Sequence, residues 1–355
     1  MQIKHMYSLK ISVAAILLFA LAAMVSACDP GEDITLSIRK NKIEPMPFED
    51  CFDLTWSVTL KEDTDELMRG ISKVIVQKDE IYVSDGRAIF VFDTAGTFLR
   101  VIRWLGRGPG EYSYISDFVL GKDVVFVLDS NRKVLKYDKT GAFIADAPLD
   151  DFYSCMFLSD DNVYLVSANQ KPGNRFHLLD AATLRETATF CSIPEPYLHY
   201  RHFMRMTPFF KTEEGLLYHE ALDNTVYRIV DESLEPFVSF DFYGKSAPST
   251  FWQKRFLDIA DAFSQLRENG YCAGLPHFAT NGSSFLYYYI AEDGPFMGLW
   301  SFSGKRQFQF DKIRFQDDTM VDIGSVGKFF YGSDDMYLTI QDDMGHNILM
   351  KVSLR

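Results

Sequence analysis

Short apolar runs separated by turns rich in Gly and Asp follow one another from residue 71 to the end of the chain. The stretches IYVSDGRAIFVFDTAGTFL (81–99) and VFVLDSNRKVLKYDKTGAFI (125–144) align with one gap. In each, two apolar runs end in an aspartate, and a third run begins with an aromatic residue after a glycine turn. This pattern predicts three short antiparallel strands joined by tight turns.

Four weaker copies of this unit follow, and an aromatic residue in the first run of the unit marks the position of each copy. This run is the second strand of a blade once the run before it is included. That residue is Tyr82, Phe126, Tyr164, Tyr218, Tyr287 and Tyr337 in successive copies. Where no long insertion intervenes the copies are about 40 residues apart, which is the period of a propeller blade. A further apolar run precedes each copy and is expected to supply its innermost strand.

The sixth copy has only three strands because the chain ends at Arg355. The lone run CFDLTWSVTL (51–60) precedes the first copy, and we expect it to form the outer strand of the last blade. This arrangement closes the ring and removes exposed sheet edges. The sequence therefore predicts an all-β fold, a six-bladed β-propeller with four-stranded blades and three-plus-one closure over residues 51–355. A seven-bladed ring and an array of β-sandwiches are the alternatives.

The N-terminal segment has the features of an export signal. Lys4 and Lys10 precede an apolar run that is too short to span a membrane comfortably, and the small-residue sequence VSAC (25–28) follows. We predict a signal peptide over 1–27 and a polar tether over 28–50. An ordinary signal peptide followed by a chance cysteine is the alternative.

Two motifs resemble those of known families. VSAC resembles the lipobox of bacterial lipoproteins, which implies cleavage before Cys28 and lipidation of its thiol. GRGPGEY (106–112), followed by DSNRKVLKYDKTGAF (129–143), resembles the NHL-repeat propeller pattern. Together they make the chain similar to the six-bladed β-propeller lipoproteins of Bacteroidetes-type bacteria. The resemblance implies the fold and a lipid-anchored place in the cell envelope, with the outer membrane favoured, but it does not specify an activity.

The composition excludes several function classes. A formal net charge of −13 gives an acidic surface, which disfavours nucleic acid as a partner. Without a CxxC pair a zinc or redox site is not expected, and no cofactor is predicted. Four cysteines follow the lipobox, and their spacing leaves open whether any of them pair: Cys51, Cys155, Cys191 and Cys272.

Long connectors that open on one face of a propeller are where binding residues are expected. The glycine-rich stretch 104–114 is not followed by a helix, so we interpret it as a corner between blades and not as a phosphate loop. The segment 191–210 is crowded with aromatic, histidine and arginine side chains, which suits a sugar or a peptide. The candidate binding residues on these connectors are Arg107, Glu111, Tyr112, Tyr197, His199, Arg201 and His202. No metal site is predicted, because the two histidines lack a third ligand in the sequence.

The segment 248–268 has helical periodicity, and Phe256, Ile259, Ala260 and Phe263 are expected on its buried face. Trp252 near its start is a further candidate for binding a ligand or docking a partner. No GxSxG or HExxH motif is present, and no catalytic residue can be assigned. We therefore predict a binding or scaffold module for a glycan, a peptide or an envelope protein. The alternative is a lyase or hydrolase at the channel mouth, assisted by a divalent metal.

Overall fold

The repeated unit folds as a four-stranded antiparallel sheet. In the computed structural model the residues described are 34–38, 43–61, 68–168, 171–195, 198, 208–213, 215–302, 306–322, 329–331, 336–342 and 344–355. Blade 1 contains β4 (Lys73–Gln77), β5 (Glu80–Ser84), β6 (Ile89–Asp93) and β7 (Phe98–Ile102). Blade 2 contains β8 (Ile115–Leu120), β9 (Val124–Asp129), β10 (Lys133–Asp138) and β11 (Phe143–Pro148). Blade 3 contains β12 (Tyr153–Ser159), β13 (Asn162–Ser167), β14 (Asn174–Asp180) and β15 (Glu186–Ser192).

The remaining blades depart from this plan at their edges. Blade 4 contains β16 (Phe209–Thr212), β17 (Gly215–His219), β18 (Thr225–Val230), β19 (Ser233–Asp241) and the N-terminal strand β1 (Ile34–Ser37). Blade 5 contains β20 (Ala273–Thr280), β21 (Ser284–Ala291), β22 (Gly294–Ser301) and β23 (Arg306–Phe310). Blade 6 contains β2 (Met46–Pro47), β24 (Lys312–Arg314) and β25 (Met320–Asp322). Blade 7 contains β26 (Phe329–Tyr331), β27 (Met336–Gln341), β28 (Asn347–Leu354) and β3 (Phe52–Thr59).

The structure has seven blades, so the prediction of six is wrong. The additional blade 6 lies between blades 5 and 7 along the chain. Its strands are only two or three residues long, and β2 comes from the opposite end of the sequence. Strands this short carry no hydrophobic alternation that could be counted as a repeat.

The last blade, blade 7, is completed by β3, which comes from the run at 51–60, as the sequence predicts. β3 pairs antiparallel with β28, with Val58 opposite Leu349. Tyr337 and Leu349 of blade 7 then pack in one cluster with Phe90 and Phe92 of blade 1. The first and last blades are therefore joined by a shared apolar core.

The core consists of apolar layers between neighbouring blades. Val127 and Tyr137 of blade 2 face Tyr82 and Val91 of blade 1. Equivalent clusters lie between blades 2 and 3 and between blades 3 and 4. Buried strands from two sheets thus cover each other's apolar faces, which is the main stabilising contribution expected in such a fold.

The segment predicted as a tether over 28–50 contains ordered elements. Ile38 donates its N–H to the carbonyl of Asp241 at 2.7 Å where β1 follows the edge of blade 4. Helix α1 (Phe48–Cys51) comes directly before β3, and Phe48 stacks on Phe315 with ring centroids 4.9 Å apart. Part of this segment therefore belongs to the propeller. Among the described residues of the whole chain, no disulfide joins Cys51, Cys155, Cys191 or Cys272.

The single helix predicted at 248–268 is two helices in the structure, α2 (Ser249–Trp252) and α3 (Ile259–Glu268). The side chain of Asp258 caps α3 by accepting the N–H of Asp261 at 2.9 Å, so a second helix begins after Asp258, where a continuous helix was predicted. The buried face consists of Ile259, Ala262 and Leu266, and the expected member Ala260 is exposed.

The glycine-rich corner is held by hydrogen bonds within the turn and to blade 2. Glu111 accepts the N–H of Gly108 at 2.8 Å through its side chain, and the N–H of Tyr112 bonds the carbonyl of Trp104 at 2.8 Å. Gly110 has φ of 71°, a conformation that favours glycine, and its carbonyl accepts the hydroxyl proton of Tyr137 at 2.9 Å. The corner leads into β8, a strand. Its backbone groups are therefore used by the fold itself.

Candidate functional site

Buried charged groups on the inner strands join neighbouring blades. Lys73 of blade 1 lies 2.6 Å from the carboxylate of Asp117 in blade 2. The other oxygen of that carboxylate accepts the N–H of Met156 in blade 3 at 2.7 Å. One carboxylate therefore bonds groups from the blades on both sides of its own.

A second buried pair joins blades 3 and 4. Arg175 Nε lies 2.9 Å from Oε2 of Glu220, and the hydroxyl of Tyr218 donates to the same oxygen at 2.6 Å. Burial, and then the nearby negative charge of Glu220, raises the pKa of Tyr218 well above its usual value. Burial likewise raises the pKa of Cys155, so its thiol is protonated and unreactive. These groups are fixed to one another, and we assign them to holding the blades together.

A cleft of about 270 Å³ opens on the side of blade 3 that faces blade 2. Residues 148–151, which connect these blades, and residues 171–174 of blade 3 form its rim. Its floor is apolar and consists of Leu165, Leu179 and Leu184, which are buried in the layer between the two blades. The cleft is thus part of the interface between blades, and its rim is built from connecting loops.

Polar side chains line the walls of this cleft. His177 Nδ1 lies 2.6 Å from Oε2 of Glu186, and the imidazole meets the ring of Tyr153 edge to face with centroids 5.1 Å apart. Asp151 lies 3.7 Å from the ammonium of Lys171. The cleft therefore presents acceptors, a hydroxyl and one cation around an apolar floor, the composition usual for a ligand site.

The hydroxyl of Tyr153 supports the interpretation of the cleft as a binding site. The side chain is 7% exposed, it lines the cleft, and no group in the described part of the chain hydrogen-bonds its hydroxyl. Burial first, and then the negative charges of Glu186, Asp151 and Asp150, raises the pKa of Tyr153. The hydroxyl is therefore protonated at neutral pH, and it is available to a bound group.

A family profile matches nearly the whole chain. The profile is described as "Domain of unknown function (DUF4934)", and it matches residues 33–345. The chain belongs to the DUF4934 family. No curated protein matches this member of the family.

The fold of this DUF4934 chain has solved counterparts. It is similar to the crystal structure of a "Putative exported protein" from Bacteroides fragilis NCTC 9343, with a TM-score of 0.68 and 16% identity, over 90% of this chain and 99% of that one. The WD40 domain of Neurospora crassa Pan2 matches with a TM-score of 0.44 and 11% identity, over 79% of this chain and 74% of that one. The first similarity shows a shared propeller fold.

The candidate residues on the glycine-rich corner have different surroundings in the DUF4934 chain. Arg107 is exposed on the surface. Glu111 is half-buried and bonded to the corner's own backbone. Tyr112 is completely buried, with its hydroxyl bonded to the carbonyls of Arg87 and Ile102 at 3.0 and 3.2 Å. Tyr112 is thus a core residue with no surface to offer a ligand, and only Arg107 is freely accessible.

The other candidates are not brought to the cleft by any described contact. Trp252 is half-buried beside the rings of Phe251 and Phe256 in the helical insertion. The remaining candidates lie outside the described residues and stay predictions, namely Cys28, Tyr197, His199, Arg201 and His202. The last four follow within nine residues of Ile193 in the sequence, and Ile193 lines the cleft.

Sequence reasoning missed Tyr153, His177 and Glu186. They lie at the ends or in the middle of strands with an ordinary hydrophobic pattern, whereas the predicted candidates lie on long connectors and in the helical insertion. One signal was present, because His177 interrupts the apolar strand NRFHLLD at a position that faces a neighbouring blade. The acidic pair at 150–151 in a short connector was a second signal.

Two further properties bear on function. Among the described residues, no group of three His, Cys, Asp or Glu side chains is placed to hold a metal ion. No helix within the described ranges is long and apolar enough to cross a bilayer.

Proposed function

We propose that this DUF4934 protein is a lipid-anchored binding module of the bacterial cell envelope, with the cleft between blades 2 and 3 as its ligand site. The observation that carries the binding role is the lining of the cleft, where Tyr153 and the His177–Glu186 and Lys171–Asp151 pairs surround an apolar floor. A few polar groups around an apolar floor are the usual makeup of a ligand site, because the floor supplies contact area and the polar groups fix the orientation of the ligand. The ligand class is a glycan or a peptide.

The export route is supported by the sequence and by the description of a similar protein. The lipobox-like VSAC (25–28) gives Cys28 as the lipidated residue, and the fold is shared with a protein described as exported. An acyl-modified cysteine holds a protein at a membrane surface without a spanning helix. We place the protein at the outer membrane.

The anchor is tested by expressing the full chain in a Bacteroides host supplied with an alkyne-bearing fatty acid. We expect the label to be incorporated into the wild type and to be absent from Cys28→Ala. Cys51→Ala serves as the control, since Cys51 is buried and should not affect labelling. Equal labelling of wild type and Cys28→Ala contradicts the anchor.

The binding role is tested by thermal unfolding of the full chain in detergent with a panel of oligosaccharides and short peptides. A ligand that binds only the folded state raises the midpoint in a concentration-dependent way. We expect at least one compound to do so, with the effect reduced by Tyr153→Phe. A panel that leaves the midpoint unchanged argues against this role.

A further inference from the structure

The walls of the cleft carry more negative than positive charge. Asp150, Asp151 and Glu186 contribute three carboxylates, Lys171 contributes one ammonium, and the imidazole of His177 lies 2.6 Å from Glu186. All three carboxylates are close enough to Tyr153 for their charges to raise its pKa. The group that lies best among them is therefore a cation.

The floor sets a second requirement. Leu179 and Leu184 are 3% and 4% exposed and line the cleft together with Leu165. A ligand that fills the cleft contacts both the carboxylates and this apolar surface, so an apolar stem suits it best. A side chain with a methylene stem and a charged tip meets both requirements.

The cleft already contains a weak version of such a contact. The ammonium of Lys171 approaches Asp151 only to 3.7 Å, and the Lys171 side chain is 58% exposed. The Asp151 side chain is only 12% exposed, but a 3.7 Å contact with a mostly exposed lysine contributes little. A second cation can therefore displace Lys171 at small cost.

We infer that the cleft binds the side chain of a lysine residue of a peptide, with its stem along Leu179 and Leu184 and its ammonium among the carboxylates and the Tyr153 hydroxyl. This inference rests on the proposed binding function and specifies its ligand. The ammonium donates to the carboxylates, and the tyrosine oxygen accepts a further hydrogen bond.

An amino sugar has the same charge but fits the cleft less well. Its ring carries hydroxyl groups on all sides, and those over the leucine floor would lose water without gaining a partner. The apolar floor therefore favours a peptide over a glycan.

The test uses the full chain in detergent and isothermal titration with the peptide Ac-Gly-Ala-Lys-Ala-Gly-NH2. We expect saturable binding, and about tenfold weaker binding when the lysine is Nε-acetylated, because acetylation removes the charge and keeps the stem. Chitobiose with free amines is the amino-sugar probe. If chitobiose binds at the cleft and the lysine peptide does not, the peptide assignment is overturned.

Three variants locate the site. Glu186→Gln and Tyr153→Phe should each weaken lysine-peptide binding about three- to tenfold, and Tyr153→Phe should leave the unfolding midpoint nearly unchanged because its hydroxyl has no described protein partner. Lys171→Met should tighten binding about threefold by removing the competing cation. Asp160→Asn, an exposed carboxylate between β12 and β13 that does not line the cleft, is the matched control.

The outcomes separate this inference from the proposed function. Weaker binding in Lys171→Met would mean that the cleft prefers an anion, and the inference would be wrong although the cleft still binds. Lysine-peptide binding that Glu186→Gln and Tyr153→Phe leave intact would also overturn the assignment to this cleft. A response of the thermal panel to other compounds, with no binding of the lysine peptide, would retain a binding module and reject lysine as its ligand.

Discussion

Arg175 of blade 3 and Glu220 of blade 4 form an ion pair, with Nε and Oε2 2.9 Å apart, that is almost completely buried. The two side chains are 4% and 3% exposed, so solvent screens their charges poorly. The two charges neutralise each other at a junction between blades. The pair therefore makes the relative placement of blades 3 and 4 depend on both residues together.

We expect Arg175→Met to destabilise the protein by about 3–5 kcal/mol, because it leaves the Glu220 carboxylate buried without its cation. Glu220→Met should cost a similar amount for the opposite reason. The double variant should be less destabilised than the sum of the two, by about 2 kcal/mol or more. Urea unfolding followed by circular dichroism measures all three, and additive effects would show that the residues do not act as a pair.

The ring closure makes a prediction about Gly96. Its φ is 76°, and a Cβ placed there would lie 2.1 Å from the carbonyl oxygen of Thr59, in the closing strand β3. Gly141 occupies the matching turn of blade 2 with φ of 94°, but its nearest neighbour would be a side-chain carbon of Ile102 at 3.2 Å. Both alanine variants bear the left-handed backbone cost of about 1–2 kcal/mol.

Gly96→Ala should therefore cost clearly more than Gly141→Ala, by about 2 kcal/mol, since a backbone carbonyl cannot move aside as a side chain can. The comparison of their chemical unfolding midpoints removes the shared backbone cost. Equal losses of stability would mean that the junction between blade 1 and β3 tolerates an added methyl group.

The parts of this fold that could be read from sequence are those with a regular hydrophobic period. Tyr82, Tyr218 and Tyr337 were identified as equivalent positions, and all three lie buried in the second strand of a blade. The role of β3 was predicted by counting strands, because the last repeat was one strand short and the run at 51–60 belonged to no repeat. Repetition makes such positions visible even when the residues between them differ.

The parts that could not be read depend on contacts between distant segments. Blade 6 brings Met46 beside Ile313, a pairing that two-residue strands do not signal. Tyr112 looked like a surface aromatic in a glycine-rich loop, and only the packing of blades 1 and 2 buries it. The cleft residues Tyr153 and His177 belong to strands whose local pattern indicates a core. Only the three-dimensional structure shows that both side chains line the same cleft.

A pH dependence is expected from the pair formed by Glu80 and Arg100. Both carboxylate oxygens of Glu80 bond the guanidinium, at 2.6 and 2.9 Å. These bonds, against an opposing effect of burial, lower the pKa of Glu80 from its ordinary 4.5 to about 2. A lowered folded-state pKa contributes stability above the ordinary value, and this contribution is lost as the pH falls from about 4.5 towards 2.

The side chain of Glu80 is 31% exposed, so solvent reduces the contribution to about 1 kcal/mol. Glu80→Gln should lower stability at pH 6 by this amount and should match the wild type near pH 2. Urea unfolding at a series of pH values provides the measurement. A difference between the two proteins that is constant from pH 6 to pH 2 would assign the effect to shape and not to charge.

The N-terminal strand β1 makes the last prediction, because it adds a fifth strand to blade 4 in a segment that composition alone describes as a tether. Leu36 in β1 is completely buried, whereas its neighbour Thr35 is exposed. Leu36→Ala should therefore destabilise the protein by about 2–4 kcal/mol, and Thr35→Ala should change stability by less than about 0.5 kcal/mol. Urea unfolding of the full chain measures both, and limited proteolysis should cut before β3 in Leu36→Ala more readily than in the wild type. If Leu36→Ala behaves like Thr35→Ala, β1 is dispensable to the propeller and the segment acts only as a linker to Cys28.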